Sequence, residues 1–349
     1  MRVQGPGGEI TPKENYRLLY ERKLPHWLPV FGERQFLSPR LDPDNLARCF
    51  CFEAQGLTME EYRHAAQEGY RDKFGIRWIY VPQAGGSMVY PGSPTLSNAN
   101  DWKSVIEFPD IGAWDWEASR AANAEYTDTD KCLTALIMNG LFERLISWMD
   151  FEGAAIALID DEQKDSVHQI FDALAVLYMQ MIDRYIEVYG IDQISFHDDW
   201  GGQYAPLFSL AVAEEMLVPH LKKIVDHCHS RGIFFDMHSC GKNEILVPAY
   251  IAAGCDSWSG QTMNDKKMLY QLYGDKIILG IEPDLDHPGQ ENPRALAKSF
   301  IDTYCGEAFL KRPILAGMSW GLPLEFTATL FEESRRAFSD LSRRLSENA

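Results

Sequence analysis

The sequence predicts an α/β protein, a (β/α)8 TIM barrel with an N-terminal helical extension. From Cys132 onward, short apolar runs alternate with stretches of helical period, the signature of parallel strands joined by crossover helices. Glycines punctuate the alternation at Gly190, Gly232 and Gly254, where helices are expected to end. No Gly-x-Gly-x-x-Gly turn follows the first strands, so a dinucleotide-binding doubly wound sheet is not indicated. The expectation is one domain over residues 1–349, with 1–75 as a helical segment and 76–349 as the barrel.

Taken in order, Thr11-Pro-Lys-Glu-Asn15 reads as a helix start: Thr11 as cap, Pro12 in the first turn and Glu14 three residues on. Pro25-His-Trp-Leu-Pro29 then forces extended chain. A second capping box, Thr58-Met-Glu-Glu61, opens a polar helix that stops near Gly75. Residues 77–81 read as a barrel strand, and 83–115 as a long loop of the kind that usually carries function. Residues 133–138 form the next strand. After it comes a helix from Asp165 with Ile170, Leu174, Leu177, Met181, Tyr185 and Val188 on one face. Strands at 191–196, 233–237, 256–258, 276–281 and 313–316 follow, separated by helices, and a long amphipathic helix ends the chain.

In such barrels active sites gather at the carboxyl ends of the strands. The unusual residues sit there: Asp198, Asp199 and Trp200; His238 and Cys240; Gln261 and Asn264; Glu282 and Asp284; Met318 and Ser319. If extension continues past the strand, His238 and Cys240 point the same way, because strand side chains alternate. Imidazole nitrogen and thiolate sulfur suit zinc, whose catalytic sites take three protein ligands and leave one position open. Glu282 is the expected third ligand and Asp199 the alternative. Cys255 and Cys305 belong at the opposite end of the barrel, and Cys228 in a helix core. Asp198 and Asp199 are the candidate catalytic acids. Trp200, Trp320, Gln261, Asn264 and Glu143 are the candidate substrate contacts. Each has a plainer explanation: a core histidine with an inert cysteine, a capped loop for the aspartates, core packing for the tryptophans, a surface helix position for Glu143.

Composition narrows the partners. Lys and Arg number 33 against 51 Asp and Glu, a net charge of -18, which argues against binding a phosphate backbone. No run approaches the roughly 20 apolar residues of a membrane span, and the first residues lack a signal-peptide core, so a cytoplasmic protein is expected. Seven scattered cysteines do not suggest a disulfide framework.

The segments Thr11-Pro-Lys-Glu-Asn15, Pro25-His-Trp-Leu-Pro29, Phe196-His-Asp-Asp-Trp-Gly201, His238-Ser-Cys-Gly241 and Gly280-Ile-Glu-Pro-Asp284 together give the chain a family likeness. It resembles the uroporphyrinogen decarboxylase superfamily, in its cobalamin-dependent branch of methylcobamide:coenzyme M methyltransferases and O-demethylase methyltransferases. The resemblance implies a zinc ion on His238 and Cys240. It also implies methyl transfer between a methylated or methoxylated small molecule and the cobalt of a corrinoid carried on a partner protein. Two departures stand out. Coenzyme M enzymes place a second cysteine at the last strand tip, where this chain has Met318 and Ser319. Decarboxylases carry Arg-Gln-Ala-Gly-Arg near the N-terminus, where this chain has Arg34-Gln-Phe-Leu-Ser38. A metal-free decarboxylase and a noncatalytic ligand-binding barrel are the alternative readings.

Overall fold

The computed structural model describes residues 3–5, 8–39, 69–81, 86–90, 92, 94–284, 292–317 and 324–347. The expected class is the observed one: α/β, with parallel strands and helices alternating as in a TIM barrel. The chain divides into two compact units, one of residues 1–35, 129–132 and 255–349, the other of residues 36–128 and 133–254. No described helix is long and apolar enough to cross a membrane.

The second unit holds the strands Cys132–Ile137 (from Leu133 on), Gln193–His197 and Phe234–His238, paired in parallel. Their register sets Ile137 beside Phe196, Ser195 beside Asp236 and His197 beside His238. Alternation sorts the side chains into two faces. Ala135, Ile137, Ile194, Phe196, Phe235 and Met237 form an apolar face that is almost fully buried. Tyr178 of the helix Lys164–Tyr189 meets Phe196 edge-on at 5.6 Å, so this face packs on helices. The opposite face carries Thr134, Gln193, Ser195, His197, Asp236 and His238 beside Leu136 and Phe234, and is mostly polar.

The long helix forms where its apolar stripe was expected: Ile170, Leu174, Leu177, Met181, Tyr185 and Val188 are all buried. Gly190 ends it in the left-handed region at φ 68°, which favours glycine. The helix Leu141–Ala157, which the sequence reading passed over, starts directly after the first strand. The segment Arg77–Val81 corrects an expectation. It is a strand, but it pairs antiparallel with Tyr70–Arg71 and Gly86–Val89 in a separate sheet, rather than joining the parallel one. An apolar alternation of five residues looks the same in either setting. The earlier strand needed for the barrel count is Arg34–Leu37, in the sheet of Cys132–Ile137. Asp72 anchors the small sheet. It accepts hydrogen bonds from Trp78 Nε1 (2.9 Å) and from the backbone of Phe74 and Ile76, and it pairs with the buried guanidinium of Arg144.

The first unit contains the helix Pro12–Tyr20, whose capping box between Thr11 and Glu14 is formed as expected. Asn15 fixes the Pro25–Pro29 segment from the side. Its amide donates to the Trp27 carbonyl at 3.0 Å, and its oxygen accepts from the His26 N–H at 2.7 Å. The strands Ser257–Trp258, Ile278–Ile281 and Ile314–Ala316 pair in parallel, and Val30 bridges to Ala316 in the same sense. The helices Pro293–Tyr304 and Leu324–Glu347 pack against each other. The helix expected from Thr58 lies outside the described residues as far as 68. Its predicted last turn does not form, since Tyr70–Arg71 is a strand.

Candidate metal centre

Three side chains of the second unit converge at the strand tips: Asp199, His238 and Cys240 each offer one donor atom, all within 4.8 Å of one another. His238 is the last residue of its strand, and Nε2 lies 3.3 Å from Cys240 Sγ. One oxygen of Asp199 accepts the backbone N–H of Cys240 at 2.6 Å, which leaves its remaining lone pairs for a cation.

Two glycines allow this approach. Gly241 has φ +84°, and a Cβ there would collide with the carbonyl of Gly201. A Cβ on Gly201 would come within 2.6 Å of the Cys240 oxygen. The two loops therefore cross backbone to backbone. The crossing is stitched by Lys242 N–H to the Gly202 carbonyl at 2.8 Å. Beneath it, Ser239 Oγ accepts from the backbone N–H of Trp200 (2.8 Å) and from the Asn243 amide (2.5 Å), and the same amide donates to the Cys240 carbonyl. Ser239 and Asn243, both fully buried, are supports that the sequence reading missed. The signal for them was their place beside Cys240, but Ser and Asn in a loop are too common to stand out.

Asp198 and Asp199 are neighbours with different duties. Asp198 is fully buried and accepts four hydrogen bonds: from the backbone of Leu141 (3.0 Å), Phe142 (3.1 Å) and Glu143 (2.9 Å), and from Trp200 Nε1 (2.8 Å). It caps the helix Leu141–Ala157 from a distant part of the chain, whose own N-cap is Gly140. A Cβ on Gly140 would lie 2.6 Å from that of Asp198. Burial pushes the Asp198 carboxyl up to about 6 against the pull of these donors. Three of these donors converge on Oδ2 and one on Oδ1, so Asp198, expected as a catalytic acid, is engaged here as a helix cap. Glu143, in the first turn of that helix, bonds the backbone of Asp199. The residue as a whole is only half-buried, yet lost solvation raises its carboxyl well above the usual carboxylate range, and the charges of Asp199 and Asp198 add to the shift.

The remaining expected residues are placed as follows. Trp200 is completely buried, 4.9 Å from the Tyr250 ring, and is a core residue rather than a substrate wall. In the first unit, Glu282 binds the ammonium of Lys266 through both oxygens, at 2.7 and 2.5 Å. Of the two carboxylates expected as a third ligand, Asp199 is the one gathered with His238 and Cys240, while Glu282 is paired with its own lysine. Asn264 is buried and donates to the carbonyl of Gln261 at 2.9 Å, while Gln261 is exposed. Trp320, Met318 and Ser319 lie outside the described residues.

A carboxylate, an imidazole and a thiolate make a donor set that fits zinc with an open position. In such a site the ion polarises a bound oxygen or lowers the pKa of a bound water or thiol.

No protein-family profile matches the chain, and no curated protein does. Solved structures show weak likeness. A sugar phosphate isomerase/epimerase from Parabacteroides distasonis is 8% identical, with 70% of this chain and 80% of that one aligned at a TM-score of 0.31. A xylose isomerase domain protein from Alicyclobacillus acidocaldarius is 10% identical over 65% and 81%, at 0.29. The IOLI protein with a bound zinc atom is 14% identical over 64% and 80%, at 0.32. The first two are named as an isomerase/epimerase and a xylose isomerase domain protein, and none of the three is named as a uroporphyrinogen decarboxylase or a cobalamin methyltransferase. That finding overturns the family expected from the sequence segments. Methyl transfer to a corrinoid falls with it, and so does the reason for expecting a corrinoid partner. Short strings such as His-Ser-Cys-Gly fix a local geometry, which several families can share.

Proposed function

We propose that the chain is a metal-dependent enzyme that holds a zinc-type ion on Asp199, His238 and Cys240 and uses it to polarise an oxygen of a small substrate. The donor triangle carries this reading. Two of its members are soft or borderline ligands, and all three are held by backbone crossings rather than by long flexible side chains. Glu143 is a further carboxyl, joined to Asp199 through the latter's backbone. It stands where a proton could be exchanged with a substrate on the ion. Proton transfer beside a metal-bound carbonyl, the chemistry of isomerisation and epimerisation of hydroxy-carbonyl compounds, is the reaction this arrangement suits best. An ion held by Asp199, His238 and Cys240 would supply the positive charge that such a reaction needs at the carbonyl oxygen, and the Glu143 carboxyl would move the proton.

The test has two stages. Metal analysis of purified, tag-free protein is expected to find about one equivalent of zinc in the wild type and nearly none in Cys240→Ser or His238→Ala. Incubation with a panel of aldoses and ketoses in deuterated water is then expected to put deuterium beside the carbonyl of a responsive sugar, and Glu143→Gln to stop it. Equal, negligible metal in all three proteins would sink the reading. Bound metal with no exchange in any sugar would confine the site to binding.

A further inference from the structure

A histidine that binds a metal through one nitrogen normally gives its other N–H to a carboxylate, a carbonyl or a water, which fixes the ring. His238 departs from this. Its Nε2 faces Cys240 Sγ at 3.3 Å, so Nε2 is the nitrogen on the donor side. Among the described residues, its Nδ1 makes no hydrogen bond to the protein. What the ring does have is a neighbour face. His197 sits opposite His238 in the register of the two strands, and the rings lie 4.5 Å apart between centroids at an interplanar angle of 33°. That separation is in the range of interacting rings, and the pair meets at a tilt.

The His197 ring is itself held from below. Its Nε2 lies 3.3 Å from Ser195 Oγ, which lies 3.3 Å from Asp236 Oδ2, and Ser195 and Asp236 are both buried. The run Asp236, Ser195, His197 climbs the polar face of the sheet and ends against the His238 ring. The backbone closes the frame at the strand ends. Gly140 N–H donates to the His197 carbonyl at 2.7 Å, and Asp198 N–H to the His238 carbonyl at 3.1 Å.

We propose that His197 is the positioning residue of the metal centre: its ring, braced by Ser195 and Asp236, sets the plane of His238 by ring-on-ring contact and so aims Nε2 at the ion, in place of the hydrogen bond that usually does this. The inference rests on the metal-centre reading above and adds to it a residue outside the donor triangle.

The decisive experiment uses the full chain, stripped of metal and reloaded with cobalt(II), whose visible spectrum reports ligand geometry and thiolate bonding. Zinc affinity is measured in parallel by competition with a chelator. His197→Ala is expected to weaken zinc binding 10- to 100-fold, the usual effect of losing an outer-shell support, and to alter the cobalt bands. His197→Phe, which keeps a flat ring but has no nitrogen, is expected to restore both. His197→Asn, polar but without a ring, is expected to behave like alanine. Wild-type affinity and spectrum in His197→Ala would overturn the inference while leaving the metal centre standing. Rescue by asparagine and not by phenylalanine would also overturn it, because a nitrogen contact rather than a ring contact would then be at work. A wild-type protein that shows no thiolate–cobalt band would remove the metal centre itself, and this inference with it.

Discussion

Two strand tips, one in each unit, present carboxylates and resolve the charge differently. In the first unit, Glu282 meets Lys266 of its own chain, and the pair is largely buried, with side-chain exposures of 19% and 8%. In the second unit, Asp199 and Glu143 lie close enough to raise the Glu143 carboxyl, and among the described residues neither forms a salt bridge with a lysine or arginine. A buried carboxylate costs free energy unless a positive charge or a set of donors offsets it. One tip carries its own cation. The other gathers a thiol and an imidazole around the carboxylate, a set that could hold a cation from outside. The lesson is that acidic residues at a strand tip do not by themselves mark a metal site. What separates the two tips is whether the chain has already supplied the counter-charge.

The largest expected effect breaks the second tip's frame. Gly241→Ala would place a Cβ against the Gly201 carbonyl at a positive φ, and should destabilise the fold by about 2–4 kcal/mol and lower zinc content. Chemical denaturation and metal analysis of the same preparation check it. Next, Lys266→Met leaves Glu282 without its partner. A loss of about 2–3 kcal/mol is expected, at the low end for a buried pair because Glu282 is partly exposed. The double variant Lys266→Met, Glu282→Gln should recover most of it, and a double variant no better than the single would show that the pair is not the reason.

A smaller effect sharpens the contrast. Asp199→Asn removes a charge beside Glu143 but keeps an oxygen for the Cys240 N–H. In metal-free protein it should raise stability by about 1 kcal/mol, whereas in zinc-loaded protein it should lower stability and zinc affinity. The same sign in both forms would contradict the view that the tip awaits an external cation.

The smallest effects are pH-dependent and opposite in the two units. Glu33, bonded to Trp27 Nε1 at 2.6 Å, is pushed by burial from 4.5 up to about 7. A raised carboxyl binds its proton more tightly when folded, so its contribution is full below about pH 4.5 and is lost as pH rises through about 7. Glu33→Gln should remove that loss, seen as a flatter urea midpoint between pH 5 and 8. His220 is lowered from 6.5, chiefly by burial. Asp172 accepts from its Nδ1 at 2.6 Å, His168 Nδ1 lies 2.8 Å from its Nε2, and Lys223 pairs with Asp172. A depressed imidazole resists protonation when folded, so stability is full above 6.5 and falls as pH drops below it. His220→Gln should flatten the acid side of the same profile.

Much of the fold was legible because it rests on local pattern: the Thr11 capping box, the stripe from Ile170 to Val188, and the glycine stop at Gly190. At the candidate centre, spacing was enough to bring His238 and Cys240 together, since two residues along an extended chain face one way. What could not be read depended on distant partners. Nothing near Asp198 announces that its carboxylate caps a helix beginning at Leu141. Nothing near Glu282 announces that Lys266 will reach it. Trp200 looked like a pocket wall because tryptophan after a strand can serve either purpose, and only Tyr250 and the Asp198 carboxylate decide it. Nothing in the sequence marks His197, because a ring-on-ring contact between strands leaves no trace in spacing along one of them.

The cap in trans has a mechanical outcome. Because Asp198 grips the first turn of the helix that bears Glu143, while Asp199 leans on Cys240, one dipeptide yokes that helix to the sulfur side of the centre. A displacement of either loop cannot leave the other at rest. Inserting one residue between these two aspartates should therefore disconnect both at once, even though every side chain of the centre would still be present.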